Sequence, residues 1–182
     1  MRRDSRLLAL VCTVLAVIAG GAALARMAEH LGGPPEMPAP GSTAKGPQAA
    51  EIQQRFDQGV VMLHARQYEH ALTAFHRVLA LAPDIPEAHV NMGFALVGMK
   101  RFGAARDFFQ SATSLRPQQA NAYYGLAESL EALNDLPGAI GAMKTYVHLS
   151  AANDRYLPKA QAALWAWQSA LAGEARKTGK SQ

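Results

Sequence analysis

The sequence predicts an all-α fold, an α-solenoid of antiparallel helix pairs wound into a right-handed superhelix, with about seven helices and a further apolar helix at the N-terminus. Three observations predict it. Small residues return at intervals of 34, as Gly59, Gly93 and Ala127 and as Ala71, Ala105 and Ala139. Large apolar residues return at the same interval, as Tyr68, Phe102 and Leu136 and as Phe75, Phe109 and Met143. Proline closes the first two copies at Pro83 and Pro117, where the third carries Ala151. A period of this length marks a helix–turn–helix unit that cannot bury its apolar face alone and stacks on copies of itself.

Each repeated residue has a physical task. In the first copy helix A is expected over residues 51–65 and helix B over 68–81, joined by Arg66 and Gln67. Gly59 and Ala71 lack bulk where the two helices must cross, because axes approach to about 8 Å only over small side chains. Phe75 fills the space beside that crossing, and Leu79 and Leu81 continue the apolar side of helix B. Pro83 has no N–H for another turn, so the helix stops.

These residues resemble the tetratricopeptide repeat. The match runs through Gly59, Tyr68, Ala71, Phe75, Leu79 and Pro83 in the first copy, and through Met92, Gly93, Phe102, Ala105, Phe109, Ala112 and Pro117 in the second. In the third it runs through Tyr123, Leu126, Ala127, Leu130, Ala139, Ile140 and Leu149. Arg55 and His89 depart from the pattern, which often has an aromatic there, and Ala151 stands where it has proline. The resemblance implies three repeats, 52–85, 86–119 and 120–151, within a repeat region 51–151.

Charge decides against one class of partner. Residues 51–172 carry ten Lys/Arg and ten Asp/Glu, so the repeats are neutral. The surplus behind the net +4 lies in the N-terminal arm and in the tail, where Arg176, Lys177 and Lys180 face only Glu174. A nucleic-acid scaffold places its positive charge on the folded surface, so no nucleic-acid partner is expected.

Before the repeats, Arg2, Arg3 and Arg6 flank an apolar run, an arrangement that keeps the N-terminus in the cytoplasm while the following chain is exported. Two readings of residues 1–25 stand side by side. Leu7 to Ala25 is 19 residues, about 28 Å as a helix, enough to span a bilayer. Equally, Ala23-Leu24-Ala25 behind Gly20 and Gly21 has the form of a signal-peptide cleavage site. The expected location is therefore the inner membrane, single-pass with the repeats on the periplasmic side, or the periplasm if the signal is removed. Cys12, the one cysteine, lies inside the apolar run, with no disulfide partner and no small residue before it for lipid attachment. Residues 26–50 form a Pro/Gly-rich linker; its 32–48 stretch would reach about 50 Å if extended.

Beyond the repeats, Asn153 and Asp154 offer N-caps and Pro158 suits the first turn of a capping helix within 152–172. Leu157, Ala160, Leu164, Trp167 and Leu171 form its apolar stripe, which a solenoid needs to cover its last repeat. Trp165 falls partly off that stripe, which suits peripheral packing, a partner contact or a lipid-surface contact. Residues 173–182 read as a disordered tail.

Function, on this reading, sits on the A helices, whose inner positions the family resemblance directs toward the concave face. The candidate groove comprises Phe56, Val60, Leu63, His64, Val90, Asn91, Phe94, Val97, Tyr124, Glu128 and Glu131. Members of the family grip a C-terminal carboxylate with Lys and Asn at such positions. Only Asn91 resembles that clamp, and Phe56 and Val60 stand where charged or amide groups are needed, so an apolar or amphipathic segment fits better. The same side chains could instead pack only against neighbouring A helices or the chain's own residues 26–31, or serve self-association.

Catalytic signals are absent from the pattern. The histidines His30, His64, His70, His76, His89 and His148 form no HExxH or CxxCH, and no G-x-S-x-G or phosphate-cradling loop occurs. The expectation is a non-catalytic scaffold, without cofactor or metal, that binds a partner protein during envelope complex assembly. The alternative is a self-associating repeat protein with no peptide groove.

Overall fold

A computed structural model describes residues 46–179, with side chains placed through Gly173. The proposed anchor or signal over residues 1–25 and the linker up to residue 45 lie outside the described residues, as do residues 180–182. Seven α-helices follow one another: α1 Pro47–His64, α2 Tyr68–Leu81, α3 Pro86–Gly98, α4 Phe102–Leu115, α5 Ala120–Ala132, α6 Leu136–Leu149 and α7 Leu157–Gly179. No strand occurs among the described residues. The repeat region is the all-α solenoid expected.

Two boundaries differ from expectation. α1 opens at Pro47 instead of Glu51, because proline is suited to the first helical position, where its missing N–H would be unpaired in any case. α7 continues to Gly179 instead of ending at Ala172; no proline interrupts it after Pro158.

Each helix packs on the next, and α1, α3 and α5 also pack directly on one another. The A helices therefore line up as one wall, with α2, α4 and α6 behind it. Every repeat carries one edge-to-face aromatic pair between its two helices. These are Phe56 with Phe75 at 5.7 Å, Phe94 with Phe109 at 5.0 Å, and Tyr124 with Tyr146 at 5.1 Å between ring centroids. The T-shaped geometry directs the positive edge of one ring at the negative face of the other.

Close approach is set by missing β-carbons. A Cβ on Gly59 would stand 2.7 Å from the Phe75 ring, and one on Gly93 would stand 2.6 Å from Phe109. The Phe109 ring also presses on Gly125 of the following repeat. It is fully buried, so it has nowhere to retreat from either side.

The turns between paired helices repeat as closely as the helices. Arg66, Lys100 and Asn134, each 34 apart, adopt positive φ of 58°, 59° and 62°. In each turn that residue's N–H bonds three residues back and the next N–H bonds five residues back. The first turn shows this as Arg66 N to Leu63 O at 3.0 Å and Gln67 N to Met62 O at 2.9 Å. This is the Schellman arrangement, which satisfies helix-terminal carbonyls through one left-handed residue. Glycine would enter that conformation without strain, whereas Arg and Lys carry a β-carbon into it. The third turn adds a side-chain cap, Gly138 N donating to Asp135 Oδ1 at 2.9 Å.

Three substitutions test these contacts. Lys100→Gly is expected to raise stability by about 0.5–1 kcal/mol in denaturant melts, the relief of left-handed strain exceeding the entropy glycine adds to the unfolded chain. Gly125→Ala is expected to destabilise by about 1–3 kcal/mol through overpacking against Phe109. Gly141→Ala, where an added Cβ meets nothing within 4 Å, should instead stabilise by about 0.5–1 kcal/mol.

Candidate functional site

The inner wall divides the eleven candidate residues into three groups. Phe56, Leu63, Val90, Asn91, Phe94 and Tyr124 are buried. Val60, Val97 and Glu128 are half-buried, and His64 and Glu131 are exposed. The burial has two causes: Phe56, Phe94 and Tyr124 turn their rings onto helix B of their own repeat, and neighbouring A helices close over the rest. What remains reachable along the wall is apolar at Val60 and Val97 and acidic at Glu128 and Glu131.

Within the wall, α3 and α5 share a polar network. Glu87 is buried and pairs with Arg116, which is 44% exposed at the side chain. Arg116 also donates to Gln119 Oε1 at 3.0 Å, and Gln119 donates onward to Asn121 Oδ1 at 3.0 Å. A buried carboxylate requires such partners, because desolvation without them costs several kcal/mol. Asn91, one turn beyond Glu87 on α3, is also buried, and its Nδ2 finds no hydrogen-bond partner among the described residues. An unpaired buried donor costs about 1–3 kcal/mol.

His89 explains one departure from the repeat pattern. Its ring lies 5.9 Å from that of Phe108, and its Nε2 is 2.8 Å from Pro83 O. It thus makes a ring contact of the kind an aromatic would make there.

At the last repeat, Tyr124 meets Tyr146 edge-to-face and lies 5.8 Å from Tyr156 between ring centroids. Lys159 of α7 sits 5.5 Å from the Tyr124 centroid and 3.4 Å from Glu128 Oε1. Arg155 lies over Tyr156 at 4.9 Å. Burial raises the Tyr124 phenol well above its usual range, and the neighbouring Glu128 carboxylate reinforces the shift. Burial likewise raises Tyr146. An unfolded tyrosine ionises near pH 10 while these folded ones resist, so their contribution is complete below that pH and is lost as pH rises above it. Melting temperature is therefore expected to fall as pH rises above about 10, and Tyr124→Phe should flatten that fall in circular-dichroism melts.

The two ends of the array hold features that the repeat pattern did not single out. Val61 is 68% exposed, whereas Ala95 and Ser129, at the same place in later repeats, are fully buried. Beside Val61's helix a surface hollow of about 320 Å³ is lined by Arg55, Gln58, Met62, His70 and Arg77, among others. Arg77 crosses back to Glu51 at 2.8 Å and holds that carboxyl below the usual range. At the other end Trp165 is 72% exposed on α7. Adding 34 to Val61, Gln58, Met62 and His70 leads to Ala95, Met92, Leu96 and Ala104, which lie in the apolar core or pack against it. Among the described residues no group of three or more His, Cys, Asp or Glu is placed to hold a metal ion.

The family profile described as tetratricopeptide repeat matches residues 56–120 and again 90–158, together more than half of the chain. The chain belongs to the tetratricopeptide repeat family. The search among curated proteins returns no match. Among solved structures, the Sgt2 tetratricopeptide domain from Aspergillus fumigatus is similar at a TM-score of 0.63 and 19% identity, over 74% of this chain and 86% of that one. The first such domain of human RPAP3 is similar at 0.62 and 20%, over 69% and 96%. The Yersinia enterocolitica type III secretion translocator chaperone SycD is similar at 0.61 and 15%, over 64% and 83%. At these identities what this tetratricopeptide protein shares with each is the fold.

Proposed function

We propose that this chain is a non-catalytic adaptor whose inner wall holds an apolar or amphipathic segment of a partner protein. In this reading residues 1–25 tether it to the inner membrane or export it, and it serves assembly of an envelope complex on the periplasmic side. The observation that carries the adaptor role is the wall itself. Three A helices pack side by side, and Val60, Val97, His64, Glu128 and Glu131 stay reachable on repeats whose cores are already filled. An amphipathic segment would lay its apolar side over Val60 and Val97 and present donors or cations to Glu128 and Glu131.

Similar folds lend support. The first tetratricopeptide domain of Spaghetti (RPAP3) is bound to an HSP90 peptide, and SycD is a type III secretion translocator chaperone. A carboxylate grip of the clamp kind is not part of this reading: Phe56 is buried in the core and Val60 is apolar, so Asn91 stands without the cations such a grip requires. Among the described residues no helix is long and apolar enough to cross a membrane. The tether therefore rests on Arg2, Arg3, Arg6 and the apolar run after them.

Photo-cross-linking of the full chain in native membranes tests the wall. Probes at His64, Val97 or Glu131 are expected to capture one common protein, and probes at Ala80 or Gln110 on the B helices are not. Val60→Asp with Val97→Asp should lower capture at least tenfold with the helical circular-dichroism signal retained. Phe94 does not serve as the second site, since its ring packs on Phe109. Equal capture from both faces, or none from the wall, sinks the proposal.

A further inference from the structure

The open end of the first repeat holds a seat ringed by donors. Between α1 and α2 a surface hollow of about 320 Å³ has Met62 and Ala74, its least exposed lining residues, as a floor, with Arg55, Gln58, His70 and Arg77 around them. Among the described residues no carboxylate lines it. Arg77 is taken by Glu51. Arg55 donates to the neutral Gln58 amide oxygen at 3.1 Å. Neither Arg55 nor His70 forms an ion pair among the described residues. An occupant that suits this seat brings apolar atoms for the floor and a carboxylate for Arg55.

We propose that the chain's own residues 35–40 fold back into this hollow, with Glu36 on Arg55 and Met37 over Met62 and Ala74. Charge, place and length single out this segment. Glu36 is the one carboxylate between Glu29 and Glu51, and Met37 follows it directly. The chain that precedes the described residues joins α1 at the N-terminal end, where Gly46 holds φ of 118°, a conformation open essentially to glycine alone. From there Arg55 lies about 14 Å along α1 and Met62 about 24 Å. The residues from Glu36 to Gly46 reach about 31 Å when extended, and Gly41 with Gly46 gives them the freedom to reverse. Pro35, Pro38 and Pro40 keep the segment itself extended, so seating it orders little that was free.

Other occupants fit the seat less well. A separate acidic peptide competes with a tethered one, whose effective concentration is on the order of millimolar. A second copy stacked end to end would bring the outer side of α7, where Gln161, Trp165, Gln168 and Ser169 are exposed and carry no carboxylate for Arg55. A flat lipid surface meets the cations at the rim but not the Met62 and Ala74 floor recessed between two helices. The seated segment covers the first repeat as α7 covers the last, and it leaves the inner wall open.

The test uses the full chain in detergent with Cys12→Ser, so that only introduced thiols react. Met37→Cys is combined with His70→Cys in the hollow or, as the control, with His76→Cys. His76 is exposed on the same helix, closer to Gly46 than His70 is, but turned about 120° away from it. The expected result is an intramolecular disulfide at His70 at least tenfold above that at His76, with a yield independent of protein concentration. Glu36→Lys should cut that yield at least fivefold, and adding Arg55→Glu to the same chain should restore it to within twofold, each with the helical circular-dichroism signal unchanged. No preference for His70, or a yield that the reversal leaves unmoved or the swap fails to restore, overturns the proposal. A disulfide dimer in place of the intramolecular link gives the seat to a second copy. A link lost when phosphatidylglycerol vesicles replace the detergent gives it to acidic headgroups, and either result also overturns the proposal.

Discussion

The constraint on which the repeats depend is the distance between helix axes at points where no β-carbon stands. Phe109 shows it most directly, its ring held between Gly93 of its own repeat and Gly125 of the next. One side chain thereby closes the α3/α4 pair and joins it to α5. An aromatic ring can do this only because both facing positions are empty, and the helices would otherwise separate by more than their remaining side chains fill. The same device at Gly59 and Phe75 closes the first pair. The third repeat replaces it with Ala127 and Met143 and relies on the tyrosine cluster and α7 for the rest.

Stacking by this rule has a geometric consequence. Identical left-handed turns at Arg66, Lys100 and Asn134 send each B helix back at the same angle, so the A helices fall in line and touch. The line has two ends, and each end exposes the face that inner repeats bury. The first repeat meets its open side with Arg55, Gln58 and Arg77, polar residues at places where the second carries His89, Met92 and Ser111. α7 meets the other side by covering it, since Ala160 and Leu164 replace the missing repeat. A capping element of this kind keeps an apolar end from water.

The parts of this architecture legible in the sequence are those where a local contact dictates residue type. The glycine, alanine and phenylalanine period could be read because steric fit at a helix crossing recurs whenever the crossing recurs. Gly125 escaped that reading, since it stands at the place of Asp57 and Asn91 and belongs to the joint between repeats. The left-handed turns escaped for another reason: Arg66 and Lys100 are not residue types that signal positive φ, although Asn134 is. Exposure on the inner wall was the least legible property. Phe56 and Phe94 occupy positions directed at that wall, yet their rings rotate onto Phe75 and Phe109, a choice made by side-chain packing across two helices.

That division bears on where specificity lies. A wall whose large aromatics hold the repeats together cannot also offer them to a partner without loosening its own core. In the proposed adaptor role, recognition falls to residues whose removal costs the fold little, which are His64 and Glu131 at the surface and Val60 and Val97 at its edge. One buried polar group without a partner among the described residues is the Asn91 amide, one helical turn from Glu87, whose carboxylate is already held by Arg116. A donor kept unsatisfied in an otherwise satisfied network is a standing cost to stability. A hydrogen-bond acceptor on a segment lying along α3 would remove that cost, provided the wall opens enough to admit it.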